Sequence, residues 1–210
     1  MSIEKTFTDS IAVSTKEGDG IYVGNKYGWR DITGQVNVRG VGANDPDWTQ
    51  IGSGPMYAYK FALNDQCWFV YHVPHDIAVN PVRPIHFHVH WIPDGTNAQP
   101  VKWEWTYVYA LGFDQAAFDM NLANSPLVNA GTITAETNGP GIAFQHIITE
   151  TEGVTLPNLT EPDGLIYCRI RRVANGGTDN ADGIFMLTSD IHYQSTNMAT
   201  PGKEPWFYIG

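Results

Sequence analysis

The sequence predicts an all-β protein, specifically an antiparallel β-sandwich of jelly-roll type with about eight strands and at most one short helix. Three observations support this fold class. Apolar and polar residues alternate over most of the chain, as they do in half-buried strands. Turn-forming glycine, proline, asparagine and aspartate residues separate the alternating segments. Helical character is confined to one short segment.

Four segments in the first half of the chain show the clearest alternation. They are Met56–Leu63, Gln66–Val73, Ile85–Trp91 and Val101–Leu111. In the last of these, every second residue is apolar and most of these residues are aromatic, which is typical of a strand with one face in a core. Four later segments complete the predicted strands: Gly131–Thr137, Ile142–Glu150, Leu165–Val173 and Gly183–Tyr193.

The connections between these segments carry turn signals. The polar segment Pro93–Pro100 lies between two aromatic strands and predicts a hairpin. Phe113–Asn124, with Asp114 as a candidate N-cap, is the segment that favours a helix. Residues 27–210 are expected to form one β-sandwich domain, preceded by residues 1–26 as an N-terminal arm or edge segment.

Composition and charge exclude several classes of protein. The chain has 210 residues, with 12 Lys and Arg against 22 Asp and Glu, and a formal net charge of −10. Such an acidic chain lacks the basic surface that nucleic-acid binding requires, so no nucleic-acid partner is expected. Charged residues make up 16% of the chain and aromatic residues 12%. This balance favours a surface that is partly covered by other subunits, and therefore a homo-oligomer.

Neither a membrane span nor a secretory signal is expected. Apolar runs are shorter than the ~18 residues that a spanning helix needs. The first residues lack the apolar stretch of a signal peptide, so we expect assembly in the cytoplasm and no membrane partner. Cys67 and Cys168 lie far apart in strand segments and outside any CxxC pair. We therefore expect two buried, free thiols.

The most distinctive motif is a strand that carries three alternating histidines. His86, His88 and His90 share one face of the predicted strand, with neighbouring side chains about 6–7 Å apart. Imidazoles in this arrangement can bind Zn²⁺, Fe²⁺ or Mn²⁺. An HxH strand is also how a cupin metal site begins; the acid would then be Asp94 and the later histidine His146.

A second interpretation of the same motif involves no metal. The histidines would form a polar layer with Thr106 or Glu104 on a neighbouring strand, each ring making a cross-strand hydrogen bond. His72 and His75 would join the same layer. This interpretation is the favoured one, because buried polar groups usually serve packing and hydrogen bonding.

Other catalytic patterns are absent from the sequence. It contains no GxSxG elbow, no phosphate-binding glycine loop and no HExxH motif. Paired carboxylates of the glycosidase kind stay open, with Asp94, Glu104, Glu150 and Asp190 as candidates.

Three tryptophans lie outside the clearest strands. Trp29, Trp48 and Trp206 are suited to stacking on sugar rings or on a protein partner. The same residue type is also common as a core or interface anchor.

Several motifs together resemble a family of tailed-bacteriophage virion structural proteins. The motifs are Tyr27–Gly34, His72–Asp76, Ile85–Trp91, Trp103–Tyr107, Asp190–Gln194, Gly202–Lys203 and Phe207–Tyr208. Together they cover most of the chain from residue 27 to residue 208. The resemblance implies a non-enzymatic virion component with a β-sandwich fold, on either the head or the tail, and it implies no catalytic residue.

Three functional hypotheses follow. The first is a capsid decoration (cement) protein: a trimeric jelly roll that binds the phage major capsid protein and stabilises the head lattice without a cofactor. The second is a tail or fibre component that associates with tail proteins and binds glycans through Trp29, Trp48 or Trp206. Both place the protein in the virion. The third is a cupin-like enzyme with a divalent metal at His86, His88 and His90.

Overall fold

The computed structural model describes residues 11–13, 21–23, 28–38, 44–79, 82–113, 130–156 and 159–196. These residues form strands and connections and contain no helix. The strands are β1 (Ile11–Val13), β2 (Ile21–Val23), β3 (Gly28–Thr33), β4 (Gln35–Asn37), β5 (Asp47–Gln50), β6 (Tyr57–Phe61), β7 (Gln66–His72), β8 (His86–Pro93), β9 (Pro100–Ala110), β10 (Ala130–Asn138), β11 (Ile147–Glu150), β12 (Leu165–Val173) and β13 (Ile184–Ser195).

The longer strands form two antiparallel sheets. One sheet has the order β10-β9-β12-β7-β4. The other has the order β11-β8-β13-β6-β5, and β3 pairs with the second half of β13. β1 and β2 form a separate two-stranded hairpin.

The strand order of β6 to β13 is that of a jelly roll. β6 pairs with β13, β7 with β12, β8 with β11, and β9 with β10. One long hairpin is thus folded over so that its strand pairs alternate between two packed sheets. The predicted fold class is confirmed. The described strands beyond the expected eight are β1, β2 and three short strands, β3 to β5, added to the sheets.

The core lies between the two sheets and is strongly aromatic. It is filled by inward-facing residues from β7, β8, β9 and β12, where every second side chain is apolar as expected for period 2. Trp91, Trp103 and Trp105 are fully buried, and each removes ~150–250 Å² of surface from water. Alternation in the sequence therefore identified the inner faces of these strands correctly.

The two cysteines lie in this core as free thiols. Cys67 on β7 and Cys168 on β12 are both fully buried and neither forms a disulfide. Burial raises the pKa of each thiol well above its usual range. The expectation of buried, free cysteines is confirmed.

The hairpin predicted at Pro93–Pro100 is wrong. β8 and β9, which this segment joins, belong to different sheets, so the connection is an arch across the sandwich. It is held to the β12–β13 connection by Asn180, whose side-chain amide donates to the carbonyl oxygens of Asn97 and Gln99, both at 2.9 Å. The chain therefore changes sheets where the local sequence indicated a reversal within one sheet.

Two predicted segments fall largely outside the described residues. Of the candidate helix Phe113–Asn124, only Phe113 lies in the described part of the chain. Of the N-terminal segment 1–26, only β1 and β2 do. The described part of the chain contains no helix long and apolar enough to cross a membrane.

Candidate functional site

The three histidines of β8 lie on the outer face of the six-stranded sheet. Their neighbours Phe87 and Val89 point into the core and are fully buried. β8 lies between β11 and β13, so each outward side chain has neighbours on both sides. β8 therefore has an apolar face that packs in the core and a polar face on the outside of the sheet.

The expected neighbours of these histidines were wrong. Thr106 and Glu104 lie on β9, in the opposite sheet. There Glu104 forms ion pairs with Arg169 and Arg171 at 3.1 and 3.0 Å. This error has the same origin as the misassigned hairpin, because a hairpin would have paired β8 with β9.

The actual neighbours are carboxylates and further histidines from β3, β11 and β13. Glu150 of β11 and Asp190 of β13 lie directly opposite His88, one on each side. His192 of β13 lies opposite His86, and Asp31 of β3 lies opposite His192. We call this group the histidine–acid cluster; its members are Asp31, His86, His88, His90, His146, Glu150, Asp190 and His192.

His88 occupies the centre of the cluster, and its side chain is 1% exposed. Its Nε2 contacts a carboxylate oxygen of Glu150. Its Nδ1 lies 3.2 Å from Oδ1 of Asp190. Neither Nδ1 of His88 nor Oδ1 of Asp190 has a hydrogen-bond partner, although both atoms are buried. Two polar atoms thus face each other without the alignment that a hydrogen bond requires.

Burial and charge act in opposite directions on this pair. Burial lowers the pKa of His88, but the adjacent carboxylates of Asp190 and Glu150 raise it more, so its pKa lies above the usual value. Burial raises the pKa of Asp190, but His88 and His90 lower it more, so its pKa lies below the usual value. The cluster therefore favours the charged forms of both groups.

His90 and His192 extend the cluster in two directions. Nε2 of His90 lies 3.0 Å from Oδ2 of Asp190, and its Nδ1 lies 2.9 Å from Nε2 of His146. Nε2 of His192 lies 2.6 Å from Oδ1 of Asp31, and its Nδ1 lies 3.4 Å from Oε2 of Glu150. Both ring nitrogens of His90 and both ring nitrogens of His192 therefore face another titratable group.

Three sets of residues in the cluster bring metal-ligating atoms within 4.8 Å of one another. They are His88 with His90 and Asp190, His88 with Glu150 and His192, and Asp31 with Asp190 and His192. His86, the first histidine of the motif, belongs to none of them. Its Nδ1 instead lies 3.1 Å from the carbonyl oxygen of Thr151.

The other residues considered from the sequence are divided between this site and the rest of the molecule. His146, the candidate later histidine, stacks on His90 with ring centroids 5.0 Å apart. Asp94 lies elsewhere, paired with Lys60 at 2.8 Å. His72 and His75 do not join the histidine layer either; both lie near Asp163, at 3.1 and 2.9 Å.

Sequence reasoning overlooked His192 and Asp31 as partners of the β8 histidines. A signal for His192 was present, because Asp190 and His192 are two residues apart and alternate in the same way as the histidines of β8. Glu150 and Asp190 were candidates for a carboxylate pair, and the structure brings both to the same histidine.

Of the three candidate tryptophans, Trp29 and Trp48 lie in the described part of the chain, at different places on the six-stranded sheet. Trp29 on β3 is 55% exposed, and its ring lies 5.6 Å from that of His86, at the border of the histidine–acid cluster. Trp48 on β5 is 61% exposed and stacks on Tyr57, with ring centroids 6.3 Å apart. Trp206 lies outside the described residues.

No protein-family model matches this sequence, and no curated protein is significantly similar to it. A β-1,3-glucan binding CBM6 from Bacillus halodurans is 10% identical, with a TM-score of 0.31, over 80% of this chain and 96% of that chain. A xylan-binding domain from CBM 22 is 10% identical, with a TM-score of 0.29, over 83% and 92%. The structure of infectious bursal disease virus Gx strain is 11% identical, with a TM-score of 0.31, over 94% and 43%. At these TM-scores the likenesses carry no argument, and the fold assignment rests on the strand order.

Proposed function

We propose that this protein is a non-enzymatic structural component of a tailed-phage virion, and that it acts as a trimeric capsid decoration protein on the major capsid lattice. The motifs that resemble the virion family support this proposal. All of Ile85–Trp91 except Ile85 lies in β8, Trp103–Tyr107 lies in β9, and Asp190–Gln194 lies in β13. The resemblance thus extends over strands that build both sheets of the jelly roll.

The observation that carries the proposal is an exposed apolar edge at β5 and β6. We call it the aromatic edge; it consists of Trp48, Met56 and Tyr57, which are 61%, 68% and 50% exposed. β5 is a four-residue strand at the end of the described six-stranded sheet. Large apolar side chains grouped at a sheet edge are typical of a protein interface, and contact with a partner would also protect the edge from aggregation.

The aromatic edge explains how a small protein could stabilise a lattice. Covering about 100 Å² of exposed ring contributes about 2–3 kcal/mol before the costs of association. Contacts of this size are weak in a single subunit. Repeated by three-fold symmetry at every capsomer joint, they hold through multivalency.

The test combines particle imaging with a pair of tryptophan variants. A cryo-EM map of the parent phage particle is expected to show this chain on the outer capsid surface at lattice joints. Purified Trp48→Ala protein, mixed with particles that lack the chain and sedimented, is expected to bind at least tenfold more weakly than the unaltered protein. Trp29→Ala is the matched control and is expected to bind normally.

Two outcomes would overturn the decoration proposal. Density confined to the tail would transfer the protein to the tail or fibre class. Absence of the chain from the particle would exclude any virion role. Circular dichroism spectra of both variants establish that lost binding does not reflect lost folding.

A second candidate function, glycan binding by a tail or fibre component, is favoured by the surroundings of Trp29. Its half-exposed ring stands beside the cluster, where Asp31 and Glu150 have side chains that are also about half exposed. An aromatic face stacks on a sugar ring, while neighbouring carboxylates accept hydrogen bonds from its hydroxyl groups.

Tryptophan fluorescence distinguishes this candidate from the first. Titration with host cell-surface polysaccharide is expected to change the emission of the unaltered protein and of Trp48→Ala, and to leave Trp29→Ala unchanged. An identical response from both variants, or none from the unaltered protein, would contradict glycan binding at Trp29.

A further inference from the structure

We propose that the histidine–acid cluster binds one divalent transition-metal ion, of which Zn²⁺ is the probe, through Nδ1 of His88, Nε2 of His90 and the carboxylate of Asp190. The proposal is independent of the proposed virion function, because it rests only on the geometry of β8, β11 and β13. Two imidazoles and one carboxylate form a ligand set that suits zinc-like ions and disfavours Mg²⁺ and Ca²⁺.

The distances between the three groups support a shared ion. Nδ1 of His88 lies 3.2 Å from Oδ1 of Asp190, and Nε2 of His90 lies 3.0 Å from Oδ2 of Asp190. Two ligands held at about 2.0–2.1 Å from a tetrahedral zinc ion are about 3.3 Å apart. These two separations are close to this value, and one ligand atom from each of the three residues lies within 4.8 Å of the other two.

Two buried atoms without hydrogen-bond partners support the same position for the ion. His88 Nδ1 and Asp190 Oδ1 are buried and face each other, yet neither forms a hydrogen bond. A buried polar atom without a hydrogen-bond partner destabilises the folded state. A cation between these two atoms would satisfy both.

The other ring nitrogens of both histidines already have the partners that metal ligands require. A ligating histidine almost always donates its second ring N–H to an acceptor, which fixes its orientation. Nε2 of His88 contacts the Glu150 carboxylate. Nδ1 of His90 lies 2.9 Å from Nε2 of His146. Glu150 and His146 are therefore positioning residues, and in each histidine the ligating nitrogen is the one that faces Asp190.

The ion would link two strands of the sheet. His88 and His90 belong to β8 and Asp190 to β13, and these strands pair along most of their length. A ligand that binds only the folded state stabilises that state in proportion to its concentration and affinity. Metal binding is therefore expected to raise the melting temperature of the protein.

The experiment measures metal binding directly on the full chain. Protein freed of metal by a chelator is dialysed against Zn²⁺, and bound zinc is measured by elemental analysis and calorimetry. We expect about one Zn²⁺ per chain and a zinc-dependent rise in melting temperature, with no comparable effect of Mg²⁺ or Ca²⁺. Co²⁺ is expected to give the visible absorption of a low-coordinate site with nitrogen and oxygen ligands.

A set of variants identifies the ligands. His90→Gln is expected to weaken zinc binding at least 100-fold, and Glu150→Gln by about 10–100-fold, as for other positioning residues. His72→Gln, a histidine outside the cluster, is the matched control and is expected to bind zinc normally. His192→Gln separates the proposed ligand set from the alternative set of His88, Glu150 and His192.

Three results would overturn the proposal. One is less than about a tenth of an equivalent of zinc on the unaltered chain. Another is equal zinc binding by the unaltered chain and His90→Gln, which would indicate adventitious surface binding. The third is loss of binding in His192→Gln but not in His90→Gln, which would assign the ion to one of the two ligand sets that contain His192. Circular dichroism of each variant excludes unfolding as the cause of lost binding.

Discussion

Arg172 and Arg171 differ in burial, and we expect them to differ in their contribution to the stability of the fold. It lies next to Arg171 in the sequence, yet its guanidinium is buried and donates to the carbonyl oxygens of Phe61 and Asn180 at 2.8 and 2.6 Å. Arg171 is partly exposed and shares Glu104 with Arg169. Two adjacent residues of one type therefore have very different structural roles.

We expect Arg172→Ala to lower the free energy of unfolding by about 3 kcal/mol, because it leaves two buried carbonyl oxygens without a donor. Arg171→Ala is the matched control, with an expected loss of about 0–1 kcal/mol, because it removes only a partly exposed ion pair. Urea unfolding of both variants measures the difference. Equal losses would contradict the structural role assigned to Arg172.

At the same scale, alternation in the sequence predicted the three β8 histidines of the histidine–acid cluster but not their arrangement with the other members. Alternation placed His86, His88 and His90 on one face, because the period of a strand is a local property. Their partners could not be found in this way. Glu150 is 62 residues from His88 in the chain, and only the pairing of β11 and β13 with β8 brings the acids to the histidines. That register depends on the packing of the whole sandwich.

The connections between elements were harder to predict than the strands. Proline, glycine and asparagine in residues 93–100 mark a change of direction, but they do not determine whether the next strand pairs with the last one or joins the opposite sheet. Here the partners of β8 are β11 and β13. The long-range pairing of β8 with β11 and β13 makes this connection an arch. The turn residues themselves are compatible with either a hairpin or an arch.

Gly139, which follows β10, packs against the arch formed by residues 93–100, and its backbone N–H donates to the carbonyl oxygen of Gln99 at 3.0 Å. A Cβ atom at this position would lie 2.1 Å from the carbonyl oxygen of Asn97 and 2.5 Å from Nδ2 of Asn180. Neither distance is sterically possible, so the two connections would have to separate and lose hydrogen bonds of Asn180.

We therefore expect Gly139→Ala to lower the free energy of unfolding by about 1–3 kcal/mol, as overpacking does in other tightly packed sites. Gly54→Ala is the control, since a Cβ there would come no closer than 3.7 Å to the Ile51 carbonyl oxygen, and it should change stability by less than about 1 kcal/mol. Thermal or urea unfolding tests the pair. A neutral Gly139→Ala would mean that the arch is less tightly packed than described.

At the scale of the whole molecule, the sequence predicted the fold class but not which strands pair with one another in each sheet. Eight alternating segments separated by turns indicate a sandwich, and the jelly roll is a common way to arrange them. The two inner faces were recognisable from their tryptophans, tyrosines and phenylalanines. The short strands β3 to β5 carry three to six residues each, and segments of that length are too short for a periodic pattern to stand out.

Both faces of β8 make specific contacts, and this limits the substitutions that the strand can tolerate. Most strands of a sandwich keep one face in solvent, where substitutions are nearly neutral. In β8 the inner positions fill the core, while His88 at the centre of the outer face lies between the carboxylates of Glu150 and Asp190. This strand has little freedom to accumulate mutations on either face. Sequence drift in the jelly roll is expected to concentrate in other strands, and β8 is expected to be among the most constrained segments of the chain.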